Sequence, residues 1–191
     1  MTLPINSGRV TPATTTLVQA LAKLSRPDAY NRYTGNTKSK YRKVDATLSE
    51  AVVADHLSDT QPVSVFPLVT DQTHYAVLDF DDHTAAMSWT DMASAAKTVA
   101  DKLAEAGVKS LAVRSGGGRG IHLWMPFRNP QSARAVRRFL KRKLGNCGFT
   151  VGDGSVTEGQ VQIFPKAESQ GDGGYSGGSI ALPFARQSVP L

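Results

Sequence analysis

Six segments after Thr73 constrain this chain more than any single motif does. Residues 74–80 read as a strand. Ser88 to Ala106 reads as a helix, with Trp89, Met92, Ala96, Val99 and Leu103 on one stripe and Gly107 as its stop. Lys109 to Arg114 and Gly120 to Phe127 are two strands joined by Ser115-Gly-Gly-Gly-Arg119. Gln131 to Leu144 is a basic helix with Val136, Phe139, Leu140 and Leu144 as its apolar stripe, and Gln160 to Phe164 is a last strand before Pro165. The order is β-α-β-β-α-β.

That order is the split ferredoxin-like arrangement, found also in RNA-recognition modules. It puts the first and third strands at the centre, antiparallel, with the fourth beside the first. Side chains alternate along a strand, so Asp79 and Asp81 share one face while Leu78 and Phe80 take the other. The end of the first strand then meets His122 and the stretch Gln160 to Gln162. Ile121, Leu123, Met125, Val161 and Ile163 form the apolar set against the helices. His122, Trp124 and Gln162 are left on the open face with the two aspartates. Two neighbouring acids repel unless a cation sits between them, and a divalent metal with oxygen ligands answers that need. The competing reading is an Asp-rich turn in which Asp82 or Thr84 caps the next helix. In the hairpin Arg114-Ser-Gly-Gly-Gly-Arg-Gly-Ile-His122, glycines let backbone N–H groups approach an anion, and Ser115, Arg119 and His122 add donors for phosphate. The competing reading there is a flexible tip with a structural histidine.

The first 72 residues are less regular. Residues 1–13 read as an arm, Thr14 to Ser25 as a helix carrying Leu17, Leu21 and Leu24, and Pro27 to Lys43 as a loop. In that loop Tyr30, Arg32, Lys40 and Arg42 alternate aromatic and basic side chains, a pattern that suits stacking on bases and pairing with phosphates, as well as a plain solvated loop. Thr47-Leu-Ser-Glu50 resembles a capping box for a helix through Leu57, and Val63 to Val69 is a strand broken at Pro67. With 22 Lys and Arg against 16 Asp and Glu, the net charge of +6 leans toward an anionic partner. The basic residues Arg134, Arg137, Arg138, Lys141, Arg142 and Lys143 belong to a helix expected on the face opposite the aspartates, so a solvated face is the preferred reading for them. The one cysteine, Cys147, excludes a disulfide framework and a Cys-based zinc site. No signal peptide and no membrane-spanning run are read, so a cytoplasmic protein is expected.

Leu78-Asp-Phe-Asp81 resembles the DxD motif of the archaeo-eukaryotic primase superfamily, the primase-polymerases. Ser115-Gly-Gly-Gly-Arg-Gly-Ile-His-Leu-Trp124 resembles its SxH motif. Val161-Gln-Ile-Phe-Pro-Lys166, followed by Gly177-Gly-Ser-Ile-Ala-Leu-Pro-Phe184, is similar to its third motif as found in the branch linked to mobile elements, conflict systems and CRISPR loci. Arg26-Pro-Asp-Ala-Tyr-Asn-Arg32 and Val65-Phe-Pro-Leu-Val-Thr-Asp71 echo the same branch. The resemblance implies an α+β primase core, with an N-terminal α/β module over residues 1–72 packed on an RNA-recognition-like catalytic module over 73–191. It implies a template-dependent primase-polymerase using Mg2+ or Mn2+ in a two-metal site, with no zinc. Its partners would be a single-stranded DNA template, a primer strand, an NTP or dNTP, and a helicase or other replication protein in trans or in a further region of the polypeptide. Asp79 and Asp81 would ligate metal, and Ser115, Gly116, Arg119, His122 and Lys166 would hold the nucleotide, with His122 also counted as catalytic. Gln162 stands where the family has its third acid, and Ala167 where it has a glutamine. The alternative is therefore a catalytically weakened domain that binds nucleic acid or nucleotide, with Glu158 a possible substitute acid. A replication-initiator endonuclease, which also uses β-α-β-β-α-β, is set aside because His122-Leu-Trp lacks the second histidine.

Overall fold

The computed structural model describes residues 12–35, 40–171 and 178–191. In chain order, α1 (Pro12–Ala22) precedes a hairpin of β1 (Tyr30–Tyr33) and β2 (Tyr41–Val44). Then come α2 (Glu50–Leu57) and two short strands, β3 (Val63–Val65) and β4 (Leu68–Val69). The long central strand β5 (Gln72–Phe80) leads into α3 (Trp89–Ala104), β6 (Leu111–Arg114), β7 (Ile121–Ser132) and α4 (Ala133–Asn146). The chain ends with β8 (Thr150–Val151), a 3-10 turn at Val156–Glu158, β9 (Gln160–Phe164) and β10 (Ile180–Ala181). Most of the expected arm, residues 1–11, lies outside the described residues.

The larger sheet runs β6–β7–β5–β9–β8, with β5 antiparallel to both neighbours. This is the order that the succession of segments predicts. Leu78 and Phe80 are fully buried beneath α3 and α4 with Ile121, Leu123, Met125, Val161 and Ile163. Each such side chain contributes about 1.5–3 kcal/mol by burial, and a slip of one residue would turn all of them outward. That is what fixes Asp79 on the other face.

That other face is not open. The smaller sheet, β10–β3–β1–β2, and helices α1 and α2 cover much of it. Trp124, expected beside the aspartates, is 3% exposed and stacks on Tyr75 with ring centroids 5.0 Å apart. Among the described residues, the segment 27–43 expected to be a loop contributes two strands. Tyr30 to Tyr33 pairs with Tyr41 to Val44, and β1 also pairs with β3. Strand β10, far along the chain, completes this first sheet by pairing with β3.

One cap differs from expectation, and another decides between two readings. Ser49 caps α2 by accepting from Val52 N–H, whereas the Thr47 hydroxyl donates to Pro27 O at 2.7 Å. Ser88 caps α3, in place of Asp82 or Thr84.

Candidate active site

Because β5 ends between β7 and β9, Asp79 is paired through the backbone with His122 on one side and Gln162 on the other. Residues directly opposite in a ladder project to the same face. His122 Nε2 lies 3.3 Å from Asp79 Oδ1, and the two side chains are only 7% and 15% exposed. Asp81, one residue beyond the strand, is more open, and His83 Nδ1 lies 3.4 Å from its Oδ2. The backbone carbonyl of Asp81 accepts from Val156 N–H at 2.9 Å, which ties the 3-10 turn to the strand end. His83 had no role in the sequence reading; its signal was only its place just after the acids.

Asp82, the third acid of the run, is buried and already satisfied. Its carboxylate accepts from Met87 N–H (2.7 Å), from Thr84 N–H (3.1 Å), and from the hydroxyls of Thr84 (2.7 Å) and Ser155 (3.0 Å). These donors, the Met87 amide first among them, hold its pKa down to about 2. It shapes the turn and offers nothing to a ligand.

The glycine hairpin is braced at its neck. Ser115 N–H donates to Gly120 O and Gly120 N–H donates to Ser115 Oγ, so the serine keeps only its own hydroxyl proton to give. A Cβ at Gly120 would stand 2.8 Å from Phe80 O, so only glycine lets the hairpin lie this close to the end of β5. Gly116 packs near Ala185 and Arg186 of the tail, and the Gln187 side chain fills the space beside Gly118. Arg119 is exposed, with no ion pair among the described residues. Lys166 lies over the Phe164 ring and pairs with Asp153 at 2.8 Å. The carbonyl of Asp153 is in turn 3.3 Å from His83 Nε2. Glu158 is exposed in the 3-10 turn rather than on β9.

The family described as the archaeo-eukaryotic primase domain of TOTE conflict systems matches residues 19–190. The chain belongs to that family. Membership makes it a nucleotidyltransferase domain of the primase-polymerase kind, from the conflict-system branch. Among solved structures it is similar to the polymerase domain of Mycobacterium tuberculosis ligase D in complex with DNA, with a TM-score of 0.54 and 17% identity over 92% of this chain and 76% of that one. It is also similar to the archaeo-eukaryotic primase domain of the cyanophage S-2L primase-polymerase, with a TM-score of 0.48 and 15% identity over 81% and 89% of the two chains. No match is found among curated proteins.

In this primase-family chain, the residues expected to touch nucleic acid divide into two kinds. Tyr30 is 2% exposed and belongs to the core, because β1 turns that side of the sheet onto the helices. Arg32 and Arg42 are exposed and directly opposed across β1 and β2, beside a hollow of about 530 Å³ that Tyr33, Lys43 and Gln61 also line. Lys40 is exposed at the start of β2. As a cation site, the strand end offers the carboxylates of Asp79 and Asp81 and the amide oxygen of Gln162. This all-oxygen set suits a hard divalent ion. Among the described residues, no three His, Cys, Asp or Glu side chains converge to hold a metal, and no helix is long and apolar enough to cross a membrane.

Proposed function

We propose that the chain is a template-dependent primase-polymerase. In this reading the 3′-oxygen of a primer attacks the α-phosphorus of an NTP or dNTP; a new P–O bond forms, pyrophosphate leaves, and the hydroxyl proton passes to solvent. The observation that carries it is the contrast at the end of β5, where among the described residues the Asp79 and Asp81 carboxylates meet only histidines while Asp82 is fully bonded. Asp79 and Asp81 hold Mg2+ or Mn2+, which when bound would neutralise the triphosphate and make the 3′-hydroxyl more acidic. Asp79 faces His122 Nε2 and orients the ring, and His122 so held would help to bind the triphosphate. Ser115 Oγ–H and Arg119 supply further donors from the hairpin, with Gly116 giving backbone access. Lys166 joins them once it leaves Asp153. The exposed pair Arg32 and Arg42, with Lys40, serves the single-stranded template. Primer, nucleotide and template are the partners, with strand separation supplied by a helicase or other replication protein, on this polypeptide or on another.

A second reading rests on Gln162. The position paired with Asp79 carries a neutral amide, so the cation is held with one charge fewer and transfer is weakened. One experiment tests both readings. Primed and unprimed single-stranded templates are incubated with labelled NTPs or dNTPs and Mg2+ or Mn2+, using the native chain, Gln162→Glu, and Asp79→Ala/Asp81→Ala. Incorporation that needs both aspartates supports the polymerase. Incorporation that survives their loss removes the site. Activity that appears only in Gln162→Glu establishes the weakened form.

A further inference from the structure

The basic residues of this chain are unevenly placed. Helix α4 carries six of the 22 Lys and Arg residues and none of the 16 Asp and Glu. The 16 basic residues elsewhere therefore balance the 16 acidic ones, and the whole net charge of +6 resides on one helix. That helix lies under the sheet face opposite Asp79, its Leu140 and Leu144 buried with Leu78 and Phe80.

The fold uses only part of this charge. Arg137 donates to the carbonyls of Ile163 and Pro165, and Lys143 lies over the Phe139 ring. Arg134 has a loose, exposed pairing with Glu168 at 3.6 Å. Arg138, Lys141 and Arg142 are exposed and have no carboxylate partner among the described residues. Arg134/Arg138, Arg137/Lys141 and Arg138/Arg142 are like charges one turn apart, and each pair opposes helix formation. The helix dipole does not account for the set either, since it favours cations only in the last turn and disfavours Arg134 in the first.

We propose that the stripe Arg134, Arg138, Lys141 and Arg142 is a second nucleic-acid surface, holding a sugar-phosphate backbone apart from the nucleotidyl-transfer site. It goes beyond the polymerase reading, which assigns nothing to this face. The stripe spans about 12 Å along the helix axis, the length of three to four phosphates of one strand at about 3.4 Å each. Guanidinium groups suit phosphate oxygens through paired hydrogen bonds. Ala135 is the only apolar residue exposed on α4. Protein interfaces centre on apolar and aromatic anchors, whereas nucleic-acid interfaces are polar and strongly positive. Nucleic acid is thus favoured over an acidic protein.

The test compares the full chain with Arg138→Gln/Lys141→Gln/Arg142→Gln, which keeps helix-forming side chains. Binding of a labelled single-stranded oligonucleotide is measured across a salt series. The variant's plot of log affinity against log salt should be shallower by about 2, three phosphate contacts at about 0.7 each. Its thermal stability should be equal or higher, because two of the like-charge pairs lose a partner outright and the third is also broken. Its incorporation rate on a short, saturating primed template should be unchanged. Asp79→Ala/Asp81→Ala should keep the native salt slope, so loss of this surface and loss of the active site are read separately. A native slope in the triple variant, or slower incorporation on the saturating template, overturns the proposal. So does tighter binding of charge-matched polyglutamate than of the oligonucleotide to the native helix face, which would assign it to an acidic protein.

Discussion

Asp79 and Asp81 stand beside Asp82 in sequence, yet the three carboxylates live in different chemistry. Asp82 accepts hydrogen bonds from four donors, three within its own turn and one from Ser155. Asp79 and Asp81 each meet a single histidine nitrogen, at 3.3 and 3.4 Å. A fold that needed only a charged turn would satisfy all three. In the proposed reading, the two nearly bare acids keep lone pairs and negative charge for a cation, while the third holds the turn beside them.

The sharpest way to break this comparison is to remove the bare pair. Asp79→Ala/Asp81→Ala should lower nucleotide incorporation by about a thousandfold or more, while its melting temperature stays near the native value or rises, as like charges are relieved. A large loss of stability would show the pair to be structural. Asp82→Asn should do the reverse, lowering the melting temperature by several degrees with a smaller effect on incorporation at permissive temperature. Its folded pKa of about 2 lies below the ordinary 3.8, so this stabilisation is complete above pH 3.8 and fades as pH falls through about 2. Melting curves of native and variant chains should therefore converge in strong acid.

His56 extends the comparison to a second saturated group. It accepts from Val63 N–H through Nδ1 and donates through Nε2 to Pro183 O, and burial pushes its pKa below 6.5. The unfolded chain takes up that proton more readily, so stability should decline as pH falls below about 6.5, by up to about 1.4 kcal/mol per pH unit. Denaturant titrations at several pH values check this, and His56→Gln should flatten the trend. Smallest is the effect at Lys166, a group half committed. Asp153→Asn removes its exposed partner, worth about 0.2–1 kcal/mol, and should tighten nucleotide binding by about 1.4- to fivefold. Unchanged affinity would show that Lys166 does not reach the triphosphate.

Much of the site was legible because alternation and segment order are local. Leu78 and Phe80 fixed the face of Asp79, and the order of strands brought His122 and Gln162 to its sides. What was not legible came from contacts distant in sequence. Trp124 read as exposed because nothing near it announces that the N-terminal helices will cover it. Pro27 to Lys43 read as a loop because the charged residues among Tyr30 to Tyr33 and Tyr41 to Lys43 hide the alternation. Asp82 reads only as a candidate cap for the next helix, since its Ser155 donor lies 73 residues away.

Strand β3 is held between β1, about thirty residues earlier, and β10, whose nearest contacts are 115 residues later in the chain. On a ribosome working at about 5–20 residues per second, that interval leaves one edge of β3 unpaired for roughly 6–23 s. During that time the first sheet presents free backbone groups to any passing strand. A fragment cut near residue 72 keeps this exposed edge permanently. The two sheets share a core, yet the first is completed only by a strand made long after its other three.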